Sequence, residues 1–183
     1  ERPIRPGDWV LVGGTEGYVQ KISIRATRIK TFDRSDVIVP NSEFITQQVT
    51  NRMLADTYGR VKLPIGVAYD SDVEKVRNLL LEILNAHPEV VKNDPKVTPP
   101  RVLFLAFADS SLNFELRAII RNVEDTSLVV SDLNFSIEKA FRENGISIPF
   151  PQRELHIRYP DGVPSFMASP VPGVPLDKLA GDD

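Results

Sequence analysis

Two histidines, His87 and His156, are the only imidazoles in this 183-residue chain, and they lie far apart in sequence. Neither falls in an HxxxH or HExxH spacing, so the usual pattern of a helical zinc site is missing. The chain has no cysteine, which removes thiolate nucleophiles, sulfur ligands and disulfides, and fits a reducing compartment. Asp109-Ser110-Ser111 supplies a hydroxyl, yet no G-x-S-x-G elbow surrounds it and no base accompanies it. As a turn between strands it needs only side chains that bond to the backbone. Asp70 and Asp72 form a carboxylate pair, but they precede an amphipathic run, where such residues cap a helix and meet its positive dipole end. The reading is a protein that is not an enzyme and needs no cofactor or metal.

The glycines and arginines raise a different chemistry. Gly13-Gly14-Thr15-Glu16-Gly17 contains a GxxG, which clamps a nucleic-acid backbone in KH domains when it lies between helices. Here strands flank it and no Lys-Ser/Thr follows, so a hairpin turn requiring positive φ is expected. Arg25, Arg28, Lys30 and Arg34 make RNA a fair question. Base recognition wants outward aromatic rings beside such charges, and the outward positions of the later sheet (Arg60, Lys62, Pro64, Asn113, Glu115, Arg117) supply none. Residues 1–60 carry nine Lys/Arg against seven Asp/Glu, in a chain of net charge −3, a far weaker bias than a nucleic-acid module shows. A solvated charged face is the expectation, with an RNA-binding module as the alternative.

The elements that must position these residues fall into two sets. Residues 1–58 read as short strands joined by tight turns: Trp9 to Val12, a run around Ile22, Ile24 and Ala26, then Val37 to Val39, and one more within 47–53. After Ala26 the apolar parity flips, which predicts a bulge in one long strand of a small twisted barrel. From 59 the order changes to β-α-β-β-α-β, a ferredoxin-like split βαβ spanning 59–158. Val61 to Val67 alternates; a helix capped at Asp70-Ser71-Asp72 runs to Pro88; Arg101 to Ala108 and Leu112 to Ile120 are strands; a second helix runs from Thr126 to Asn144-Gly145; Glu154 to Arg158 is the last strand. Residues 159–183 hold eight Pro or Gly, a composition that leaves little room for regular structure. The longest apolar run, Val102 to Ala108, is far short of the roughly 20 residues that span a bilayer. The chain starts at Glu1 and not Met, and is read as a piece of a longer protein.

Four stretches in order, RPGDWVLVGGTEGYV, VIVPNSEF, PIGVAYDSDVEKVRNLL and GISIPFPQRELHIR, resemble the cytoplasmic region of the small-conductance mechanosensitive channel family, MscS, over residues 3–158. The resemblance implies an Sm-like β domain and then an α/β domain. It further implies a homo-oligomer of seven copies forming a hollow cage below a pore, with side openings for ions and small osmolytes. Full-length relatives lie in the bacterial inner membrane, held by helices upstream of this region, with the cage on the cytoplasmic side, and release solutes on osmotic down-shock. The run VLFLAFADSSLNFELR is similar to the larger members, which carry extra segments upstream. The Pro-rich tail departs from the family's closing strand below the cage. An Sm-like RNA-binding module is the alternative, and a small hydrolase is a third reading.

On that basis six residues are candidates. Pro40 and Asn41 match a turn near subunit contacts, and the turn by itself is expected to tolerate Asp at 41. Arg60 and Lys62 are candidates for charges lining a side opening, where a ring of charge biases which ions enter. In a split βαβ sheet the strands lie in the order four, one, three, two, which puts Arg101–Ala108 at an edge. Its two faces, Val102/Phe104/Ala106 and Leu103/Leu105/Phe107, are both apolar, so Phe104 or Phe107 is expected to contact something outside its own domain.

Overall fold

The computed structural model describes residues 4–156. Strands β1 (Trp9–Val12) and β2 (Thr15–Ile22) are joined by Gly13 and Gly14, both at positive φ (55° and 81°), the two-residue turn whose twist suits a hairpin. Strands β3 (Ala26–Thr31) and β4 (Asp36–Pro40) follow, then a one-turn helix α1 (Glu43–Thr46) and β5 (Val49–Asn51). The sheet order is β4-β3-β2-β1-β5, antiparallel throughout. Alternate residues Val10, Val12, Val19, Ile29 and Val39 turn inward with Ile4 to form its core. Gly17 is required by close approach: a Cβ there would lie 2.2 Å from the Lys30 carbonyl oxygen.

Two expectations for this half are corrected. The parity flip near Ala26 is a chain reversal, not a bulge in one long strand: Ser23 N–H donates to Ala26 O at 2.9 Å and closes a β2–β3 hairpin. The bulge lies earlier, between Val19 and Lys21. The sheet also does not close into a barrel, because β4 and β5 are its two edges and no ladder joins them. Strand β5 has only three residues and is reached through α1, which leaves little length with which to pair β4.

The second half contains β6 (Gly59–Val67), α2 (Val73–Ala86), β7 (Arg101–Phe107), β8 (Leu112–Ile120), a 3-10 turn (Val123–Asp125) and α3 (Thr126–Asn144). Its sheet order, β6-β8-β7, is the expected one-three-two. Helix α2 starts where the Asp72 carboxylate accepts from Glu74 N–H and Lys75 N–H, both at 3.0 Å. Helix α3 stops at Gly145, whose φ of 67° ends the helix in the left-handed region. The apolar stripes Val76/Leu80/Leu84 and Val129/Leu133/Ile137/Phe141 cover one sheet face.

The expected last strand is not formed at Glu154–His156; residues 157 and 158, like the whole of the Pro/Gly-rich tail, lie outside the described residues. Pro149 and Pro151 lack the N–H groups a ladder needs, and beyond the Ala68 N–H to Ser147 O bond no further rung beside β6 forms among the described residues. Contacts divide the chain into two units that meet in sequence between Pro151 and Gln152. Within the second, His156 Nε2 lies 3.1 Å from Glu154 Oε1. No helix among the described residues is long and apolar enough to cross a membrane.

Candidate functional site

Strand β6 commits Val61, Leu63 and Val67 to the core, so its period of two turns Arg60, Lys62 and Pro64 to the face away from the helices. The same alternation on β8 turns Asn113, Glu115, Arg117 and Ile119 to that face. Register sets Arg60 opposite Ile119, Lys62 opposite Arg117, and Arg117 opposite Arg101 of β7. Lys62, Arg117 and Arg101 therefore make one positive row across three strands, with Arg60 beside it. Like charges directly opposed on a sheet repel. One carboxylate relieves the row: Glu115 accepts a short hydrogen bond from Arg117 Nε on the same strand. Arg60, Lys62 and Arg101 are exposed and have no ion-pair partner among the described residues. Beside them opens a cavity of about 190 Å3, lined by Arg60, Thr98, Pro99, Arg101 and Arg117 over Ala118 and Ile119. The sequence marks Arg60 and Lys62; Arg101 joins them only through the register of β7, which no local pattern displays.

The edge strand β7 buries only Val102. A register shift between Phe104 and Ala106 makes Leu105 an extra residue, so the strict alternation expected for this strand breaks there. Phe104 sits opposite Phe114 and Phe107 opposite Leu112, both core positions, and the two rings share a face instead of opposing. They meet edge to face at 5.0 Å, and Phe104 lies 5.0 Å from Phe114. Even so, Phe104 is 38% and Phe107 73% exposed. This end of the edge stays open.

Pro40 ends β4, exposed, opposite Ala26. Asn41 beside it is fully engaged within the chain. Its Oδ1 accepts from the buried Thr27 hydroxyl at 2.8 Å; its Nδ2 donates to Ser23 O at 2.9 Å and Ile24 O at 3.1 Å; its N–H donates to Arg25 O at 3.0 Å. Asn41 thus staples the β2–β3 turn from across the sheet. Asp at this position would face two carbonyl oxygens with a carboxylate, an arrangement that argues against the expected tolerance of Asp.

A further cluster escaped the sequence reading. Trp9, Tyr18 and Phe32 pack with centroids 5.2 to 6.2 Å apart, and the Arg52 guanidinium covers the Trp9 ring at 5.1 Å. Trp9 Nε1 and Arg52 Nε both donate to Glu16 Oε1. The Tyr18 hydroxyl comes near the Glu124 carboxylate, in the 3-10 turn of the second half. Burial first, then this carboxylate, pushes the Tyr18 phenol up to about 12. The Tyr18 hydroxyl and then Asn122 hold the Glu124 carboxyl below its ordinary range. Thr57 and Tyr58 add ties across the junction: Val123 N–H donates to Thr57 O at 2.7 Å, Thr57 Oγ1 to Arg121 O at 2.9 Å, and Tyr58 OH to Asp94 at 2.7 Å. The signal available was alternation, since Trp9 and Tyr18 each neighbour a core valine and face the other way. Trp9 and Tyr18 are occupied within the chain, which leaves no open stacking platform for RNA bases on them.

Among the described residues, a five-stranded antiparallel sheet is followed by a β-α-β-β-α unit. Residues 1–53 match the family described as "Mechanosensitive ion channel, beta-domain", and residues 61–148 match "Mechanosensitive ion channel MscS, C-terminal". Mechanosensitive channel MscK of Escherichia coli is 46% identical over 88% of this chain, and small-conductance mechanosensitive channel MscMJ of Methanocaldococcus jannaschii is 37% identical over 86%. The closed-state structure of Helicobacter pylori MscS superposes with a TM-score of 0.76 at 27% identity, covering 86% of this chain and 60% of that one. The chain belongs to the MscS family of mechanosensitive ion channels. It spans 14% of the length of the E. coli relative and 44% of the M. jannaschii relative.

Proposed function

We propose that this chain is the cytoplasmic cage region of a mechanosensitive channel of the bacterial inner membrane that releases ions and small osmolytes during osmotic down-shock. In this reading residues 1–58 form the β domain beneath the pore, 59–158 the α/β domain and 159–183 a tail. Copies associate, seven by family resemblance, and are held to the membrane by helices upstream of this region. The observation that carries the reading is the presence of both family segments in order in one chain, with a fold that follows H. pylori MscS over 86% of it. Exposed Pro40, in the turn that the internally bonded Asn41 holds, and the exposed Phe104 and Phe107 are proposed subunit contacts. The unpaired Arg60 and Lys62 are proposed to line a side opening. The test is survival: cells lacking such channels, given the full-length protein, should withstand a sudden drop in osmolarity. Normal membrane insertion with no rescue and no tension-gated current would overturn the proposal.

A further inference from the structure

The cationic row demands a counter-charge that the described residues do not supply. Lys62, Arg117 and Arg101 face one another across three strands and Arg60 adds a fourth cation, against the single carboxylate of Glu115. Direct cross-strand repulsion destabilises a sheet, and the chain as a whole is acidic, so this cluster is not a spill-over of a basic composition. Three arginines, Arg60, Arg101 and Arg117, line one cavity of about 190 Å3, with Thr98 at its wall. Guanidinium forks bind phosphate and carboxylate oxygens through paired, charge-assisted hydrogen bonds, which a row of lysines does not reproduce.

From these groups we propose that the outer face of the three-stranded sheet binds a compact, multiply charged oxyanion of the phosphate class, held by Arg60, Arg101 and Arg117 with Lys62 as an outlying charge. No aromatic side chain lines the cavity, so it offers no ring on which a nucleic-acid base would stack. A monocarboxylate would leave most of the local charge uncompensated; a dianion or trianion matches it. The ligand is a free solute in this assignment. The exposed apolar rings of the sheet, Phe104 and Phe107, share the helix-covered face and not the arginine face, whose apolar side chains Leu103 and Ile119 are half-buried.

The experiment is calorimetric titration of the 183-residue chain with inorganic pyrophosphate and with orthophosphate at about 0.15 M salt, where long-range surface attraction is largely screened. Binding by the wild type should weaken about tenfold or more in Arg101→Gln, the loss expected for one charge-assisted contact. Lys139→Gln, on the exposed side of α3, should bind as the wild type does. A melting measurement separates binding from folding: without ligand Arg101→Gln should melt at the same or a higher temperature, since it removes a like-charge pair, and added pyrophosphate should raise the melting temperature of the wild type far more than that of the variant. Equal binding by wild type and Arg101→Gln, or no binding, would overturn the assignment. Sedimentation with phosphatidate vesicles that free pyrophosphate does not compete away would overturn it in favour of a lipid headgroup.

Discussion

Asn41 and Arg101 are both polar residues at the margin of a sheet, and the chain treats them in opposite ways. Asn41 makes four hydrogen bonds to its own chain and leaves Thr27, a buried hydroxyl, satisfied. Arg101 faces Arg117, sits in solvent, and finds no anion among the described residues. The first region is determined from within; the second is left with unspent charge and, at the neighbouring edge, unspent apolar area. A group that its own fold satisfies is a stability element. A group that its fold leaves exposed at an energetic cost, such as a row of like charges, is where an outside partner or solute acts.

The largest effect that tests this contrast is at Asn41. Asn41→Asp should lower the unfolding free energy of the isolated chain by about 2–4 kcal/mol, because two donors are lost and a charge faces carbonyl oxygens. Denaturant melting reads this directly, and an unchanged midpoint would return Asn41 to the open class. Tyr18→Phe is next, costing about 1 kcal/mol at neutral pH for a hydroxyl beside a charged acceptor. Its pH profile is more diagnostic. Glu124 is depressed, so its contribution is present above its ordinary value of 4.5 and lost as pH falls through the lower folded value. Tyr18 is raised, so its contribution is full below 10.0 and lost as pH rises toward about 12. The wild type should therefore lose its advantage over the variant at both extremes. Smallest is Phe107→Ser, which should shift stability of the isolated chain by no more than about 0.5 kcal/mol. In the full-length protein it should reduce assembly, read by sedimentation; full assembly would remove Phe107 from the proposed subunit contacts.

The fold was readable where period and punctuation are local. The alternation of Val61, Leu63 and Val67, the Asp72 cap and the Gly145 stop each report their element directly. The misses share a cause: they depend on what lies across the sheet. The parity flip at Ala26 has the same sequence signature whether a strand bends or the chain reverses, and only pairing decides. The bulge at Leu105 moves Phe107 onto the face of Phe104, although seven apolar residues in a row carry no mark of it. Of the site, Arg60 and Lys62 were legible as outward charges, whereas Arg101 became part of it through register alone. Asn41 was legible as a turn residue, but its partners Ser23, Ile24 and Thr27 lie 14 to 18 residues away.

In the proposed function the unpaired Arg60 and Lys62 bias ion passage, and the reversal potential of the open full-length channel reads that bias. In membrane patches holding the full-length protein under asymmetric KCl, Arg60→Glu with Lys62→Glu should shift the reversal potential toward the potassium equilibrium potential. The tension needed for opening should stay as in the wild type, because neither residue supports the core. An unchanged reversal potential in channels that open normally would contradict it.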